Sequence, residues 1–79
     1  MATIRYFAGA AEAAGTDEEH LEGDTVGEVL AAARRAHSDR LAEVLDRCSV
    51  LHSGRYVNEE STPIAAGDTI DVLPPFAGG

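Results

Sequence analysis

Both ends of this 79-residue chain alternate with a period of two. Near the N-terminus, "ATIRYFA" sends Ile4, Tyr6 and Ala8 to one face and Thr3, Arg5 and Phe7 to the other. Near the C-terminus, "TIDVLP" sends Ile70 and Val72 inward and Asp71 and Leu73 outward, until Pro74 removes the donor that would continue the ladder. Successive side chains of a strand point to opposite faces, so each segment reads as a half-buried strand. A chain this short has room for one hydrophobic core. The terminal strands must therefore belong to the same core and can lie side by side.

The segments between them fill in the rest. "GAAEAAG", bracketed by Gly9 and Gly15, is a connector with room for one helical turn, and "DEEHLEG" is a short strand suited to a sheet edge. "TVGE", Thr25 to Glu28, fits the capping box, in which the threonine hydroxyl accepts a backbone N–H and the glutamate reaches back to the cap. Val26, Val29, Leu30 and Ala33 then follow on one helical face, which predicts a main helix to about His37. A second, short helix fits "SDRLAEVLDR", capped by Ser38 or Asp39 and burying Leu41, Val44 and Leu45. "SVLHSGRYV" reads as two strands joined at Ser53-Gly54, and "ESTPIAAGDT" as a polar loop. A first hairpin, a helix across the sheet and a last strand beside the first describe an α+β fold of the β-grasp kind, with a mixed sheet, one main helix and a short second helix. The expected division is a β-grasp domain over residues 1–75 and a flexible tail over residues 76–79.

Charge narrows the ligands. Fourteen acidic residues face six basic ones, for a net charge of −8. Such a surface repels a phosphate backbone, so nucleic acid is excluded as a partner and basic protein surfaces are favoured. The opening carries Arg5 among its apolar residues and no long hydrophobic run, so no signal peptide or membrane span is expected and the cytoplasm is the expected compartment.

Catalytic constellations are hard to assemble from these residues. Cys48 is the only cysteine, so an internal disulfide and a multi-cysteine metal site are both excluded. It reads as a small core residue rather than a reactive thiol. His20, His37 and His52 lack ligands at metal spacing, and Glu18, Glu19, Glu22 and Asp24 read as a solvated carboxylate cluster. The chain contains no phosphate-binding glycine loop and no nucleophile elbow, and the reading calls for no metal and no cofactor.

The ending, "DVLPPFAGG", carries the chemistry instead. Pro74-Pro75 fixes φ at two successive residues and favours an extended path away from the sheet. Gly78 and Gly79 have no Cβ, so their backbone can enter a channel closed to any side chain, and the reacting group would be the carboxylate of Gly79. A carboxylate is a poor acyl donor until activated, for which transfer of AMP from ATP is the usual solution, and this chain cannot do that alone. Phe7 and Leu73, on outward strand faces, and Phe76 on the tail could make one exposed apolar patch at the tail's root; alternatively Phe7 caps the edge of the core. Arg5 and Asp71 face each other if the terminal strands are neighbours.

These residues match a known pattern. The chain resembles the ubiquitin-like sulfur carriers of the MoaD/ThiS type, through "IRYFAGAAEAAG", "DTVGEVLAAA" and above all the ending GD-x-(I/V)-x-(V/L)-x-PP-x-x-GG. The resemblance implies a ubiquitin-like β-grasp and a carrier cycle. In that cycle an adenylating enzyme related to ubiquitin-activating enzymes uses ATP to adenylate Gly79, and a sulfur-donor protein converts it to a thiocarboxylate. The tail then enters the large subunit of molybdopterin synthase, where catalysis resides, so that the chain is a non-catalytic carrier serving as the small subunit. Gly78 and Gly79 carry over as the reacting site. Phe76, Ala77, Pro75, Phe7 and Leu73 follow by position as partner contacts. The Pro-Pro before the tail favours the molybdopterin branch over the thiamine carrier; a branch feeding cysteine synthesis shares the fold and the Gly-Gly end. "HSGR" stands where relatives often have an Asn-Gly turn, which weakens the choice of branch but not of fold. Outside the carriers, a β-grasp interaction module or a protein modifier uses the same scaffold.

Overall fold

The computed structural model describes residues 1–37 and 39–75. Its terminal strands lie side by side. β1 (Ala2–Tyr6) and β5 (Thr69–Leu73) pair in parallel, with Ile4 opposite Ile70 and Arg5 opposite Asp71. Antiparallel pairing adds β2 (Glu18–Leu21) outside β1, and β3 (Ser49–His52) on the far side of β5. β4 (Arg55–Tyr56) closes that side, giving the five-stranded order β2-β1-β5-β3-β4. The α2 helix (Val26–Ala36) and the short α3 (Asp39–Leu45) complete the mixed-sheet β-grasp read from the sequence.

One core joins these layers. Ile4, Tyr6, Ile70 and Val72 of the sheet are buried with Val26, Val29, Leu30 and Ala33 of α2 and with Leu41 and Leu45 of α3. Fully burying a side chain of this kind is worth roughly 1.5–3 kcal/mol, which makes this cluster the main stabilising element of a small domain. Val44 departs from expectation: it is half-buried, and lines a groove with Pro74 and Pro75.

The first connection also differs from the sequence reading. The alternation stops at Tyr6, because Ala8 is exposed at φ 50° and starts α1 (Gly9–Ala14). This six-residue helix is longer than the single turn expected, buries Ala10 and Ala14, and ends at Gly15 in the left-handed region. β1 and β2 are thus antiparallel neighbours joined across a helix, not a tight hairpin.

Local signals elsewhere behave as their chemistry requires. Ser53 and Gly54 have φ of 52° and 82°, and His52 pairs with Arg55, so "HSGR" makes the two-residue turn with both central residues at positive φ. The Thr25 Oγ1 accepts the Glu28 N–H at 3.2 Å. Glu28 Oε1, however, accepts from the Asp24 N–H at 3.1 Å, one residue before the cap. Thr25 is itself bridged to Pro63, and the next two amides, of Val26 and Gly27, donate to Thr62 and Glu60 carbonyls. The loop over residues 59–65 therefore closes the start of α2. Ser38 and the tail over residues 76–79 lie outside the described residues. Among the described residues, no helix is long and apolar enough to cross a membrane.

Candidate docking site at the root of the tail

Sheet register builds the site. Arg5, Asp71, Leu51 and Tyr56 are successive partners across β1, β5, β3 and β4, so they form one row on the face away from the helices. In the adjacent row Leu73 pairs with Ser49, and Phe7 follows the end of β1, its N–H donating to the Val72 carbonyl. The result is a mainly apolar hollow walled by Phe7 and Ala8 on one side, Ser49 and Tyr56 on the other, and Leu73, Pro74 and Pro75 between them. Phe7 is 39% and Tyr56 73% exposed, so two aromatic faces are presented to solvent where β5 ends.

A charge pair holds this face in shape. Arg5 donates through Nε and Nη2 to the two Asp71 oxygens at 2.6 and 2.9 Å. Bidentate guanidinium–carboxylate geometry fixes orientation as well as distance. The same guanidinium lies 5.6 Å from the Phe7 ring centre, within cation–π range. Hydrogen bonding to Asp71 raises the Arg5 pKa further, so the charge over Phe7 is permanent.

Of the residues singled out from sequence, Phe7, Leu73 and Pro75 come together here. Phe76, Ala77, Gly78 and Gly79 lie outside the described residues. Tyr56 was missed. Its place in the "SGRYV" hairpin was legible, but its approach to Leu73 depends on β3 pairing with β5, which no local pattern reveals.

Several titratable groups elsewhere are held by neighbouring residues. His37 meets Glu19 at 2.5 Å, and the Tyr6 hydroxyl donates to the same carboxylate at 2.7 Å. Glu19 is therefore a partly buried structural acceptor and not, as read from the sequence, part of a solvated cluster. Burial, then Glu19, pushes the Tyr6 phenol up. His52 meets Asp68 at 2.8 Å, and the Asp68 carboxylate is held below its usual range first by the Ala65 N–H and then by His52. His20 shares a hydrogen bond with Thr3. The half-buried Cys48 thiol donates to the Val44 carbonyl at 3.1 Å, and burial pushes its pKa up to about 11. Among the described residues, no three His, Cys, Asp or Glu side chains are grouped to hold a metal ion.

A family model described as the ThiS family matches residues 4–79. The chain belongs to that family. The resemblance to MoaD/ThiS-type ubiquitin-like sulfur carriers is thereby borne out, and the matched span includes the Gly-Gly end. Solved structures agree. SAMP1 of Haloferax volcanii is 32% identical, with 99% of this chain and 98% of that one covered at a TM-score of 0.81. A Pyrococcus furiosus protein described as a candidate subunit 1 of molybdopterin converting factor is 27% identical, with coverage of 95% and 97% and a TM-score of 0.82. CysO of Amycolatopsis orientalis, solved in complex with BexX, is 20% identical over the full length of both chains, with a TM-score of 0.81, a likeness of fold alone. No curated protein sequence matches the chain. This ThiS-family member thus has the ubiquitin-like β-grasp, with an exposed apolar hollow at the point where its last strand gives way to the tail.

Proposed function

We propose that this ThiS-family chain carries sulfur for molybdopterin synthesis on the carboxylate of Gly79. The observation that carries the reading is the apolar hollow around Leu73, Pro74 and Pro75, flanked by Phe7 and Tyr56. A carrier whose reacting atom sits at the end of a glycine tail must be held by its root while the tail enters another protein's active site. An exposed aromatic surface at that root suits the task.

In the cycle, a Gly79 carboxylate oxygen attacks the α-phosphorus of ATP in the site of an adenylating enzyme, and pyrophosphate leaves. Hydrosulfide released by a donor protein attacks the acyl carbon, the bond to AMP breaks and AMP leaves, and a thiocarboxylate remains, which is anionic at neutral pH and more nucleophilic than the carboxylate. The large subunit of molybdopterin synthase then receives the tail and supplies the catalytic groups, and the cycle runs in the cytoplasm. Pro74-Pro75 and the likeness to the Pyrococcus protein favour this branch over delivery to thiamine or cysteine synthesis. A second reading, attachment of Gly79 to other proteins as a modifier, is favoured by the 32% identity to SAMP1.

The test is intact mass spectrometry of the untagged protein after incubation with ATP, a sulfide source and host extract. The carrier gains the mass of sulfur minus oxygen, mapped to Gly79, and loses it when the molybdopterin precursor and large subunit are added. An unchanged mass, with an adenylating enzyme active on a control carrier, removes the carrier reading. Higher-mass conjugates through Gly79 would support the modifier.

A further inference from the structure

The acidic character of the chain is not uniform, and the exception lies at the tail's root. In three hollows of the described surface, acids outnumber bases. Arg34 is set among Asp46, Glu59 and Glu60. Arg35 is set among Glu22, Asp24 and Glu28, and Arg5 faces Asp17 and Glu18. Beside Pro74 and Pro75 the sign reverses. There the groove carries Arg40 and Arg47 against Glu43 alone, with Val44 also in its lining. The apolar hollow on the other side of the same prolines has no charged residue in its lining.

Arg40 lies in the first turn of α3, and Arg47 in the turn after it, where its own N–H is held by the Val44 carbonyl. Both side chains are exposed. Arg5 and Arg34 are paired with Asp71 and Asp46, whereas among the described residues neither Arg40 nor Arg47 is within ion-pair distance of a carboxylate. Two of the four guanidiniums that have no carboxylate partner among the described residues, the others being Arg35 and Arg55, thus lie together beside Pro74 and Pro75 in a chain of net charge −8.

Resting on the carrier reading above, we infer that the groove formed by Arg40, Val44 and Arg47 docks an acidic segment of the adenylating enzyme. The groove and the apolar hollow share Gly9, Pro74 and Pro75, so they form one continuous surface on both sides of the two prolines. The enzyme then presents carboxylates opposite α3, an apolar surface opposite Phe7 and Tyr56, and basic groups farther out against the acidic remainder. A change of sign across one interface fixes the rotation at which the carrier approaches, because every other orientation sets like charges together. It also speeds encounter, by a factor that falls steeply as ionic strength rises.

The test is carrier-dependent ATP–pyrophosphate exchange by the host's purified adenylating enzyme. It is run from about 0.01 to about 0.15 M salt, across which the screening length falls from about 30 to about 8 Å. The Arg40→Gln, Arg47→Gln double variant removes two positive charges, and Arg35→Glu changes net charge by the same two units in a different hollow. The double variant is expected to raise KM for the carrier about tenfold at low salt with kcat unchanged, the gap closing as salt rises. Arg35→Glu should stay within about twofold of wild type. Each single glutamine variant should give about a threefold rise, and these carry the test if the double variant melts early. An unchanged KM for the glutamine variants overturns the inference, as does an equal rise for Arg35→Glu, which would reveal net charge alone. Absence of exchange with the wild-type chain, by an enzyme active on another carrier, overturns the carrier reading and this inference with it.

Discussion

At Cys48 the surroundings suppress a chemistry that the side chain could otherwise perform. Its thiol sits half-buried between α3 and β3, donates to the Val44 carbonyl, and is pushed by burial from its ordinary range up to about 11. The folded state favours the protonated form, so this contribution to stability is present below the ordinary thiol value and is lost as pH rises through about 11. At pH 8 the thiolate fraction is about a hundredfold lower than in the unfolded chain, and iodoacetamide should label folded protein slower by about that factor. Equal rates with and without denaturant would mean the thiol is open to solvent. The place of Cys48 between a helix and an apolar strand was legible in the sequence, because both neighbours have clear periodicity. The contacts of Glu19 were not. Tyr6, Glu19 and His37 come from β1, β2 and the end of α2, and only the completed fold makes them one hydrogen-bonded group.

At the scale of elements, the start of α2 shows what a local code can and cannot specify. "TVGE" identified the cap, and Thr25 does accept the Glu28 amide. The other exposed donors of that first turn are met by residues more than thirty positions along the chain, since Val26 and Gly27 donate to Thr62 and Glu60. Gly27 permits this closure: a Cβ there would lie 2.8 Å from the Glu60 Cβ and 3.1 Å from its carbonyl oxygen. Because the loop holds the rest of the turn, Thr25→Ala should lose one cap bond without fraying the helix, at about 1 kcal/mol. Denaturant unfolding should show a lower midpoint with an unchanged slope, and a reduced slope would instead mean that the loop had detached. α1 was only half legible for a related reason. Six residues are too few to hold a helix by propensity, and its stability comes from burying Ala10 and Ala14 against the rest of the fold.

Across the whole molecule, folding and the proposed reaction use different parts of the chain. The buried cluster begins at Ala2 and ends at Val72, so the parallel pairing of β1 with β5 completes the core before the tail begins. That pairing also brings Phe7 beside Leu73, which is why half of the apolar hollow could be read from two alternating segments while Tyr56 could not. The proposed reacting atom lies at Gly79, beyond the residues that hold the sheet together. Removing Gly79, or placing a Cβ there by Gly79→Ala, is therefore expected to abolish sulfur loading while circular dichroism and thermal melting match the wild type. A narrow channel that accepts only a bare backbone would reject the alanine as completely as the deletion. If either variant unfolded, the end of the chain would be contributing to the core, and loss of loading could no longer be assigned to the missing acceptor atom. If Gly79→Ala loaded normally, the channel argument would fail, and the terminal glycine would matter only for the position of its carboxylate.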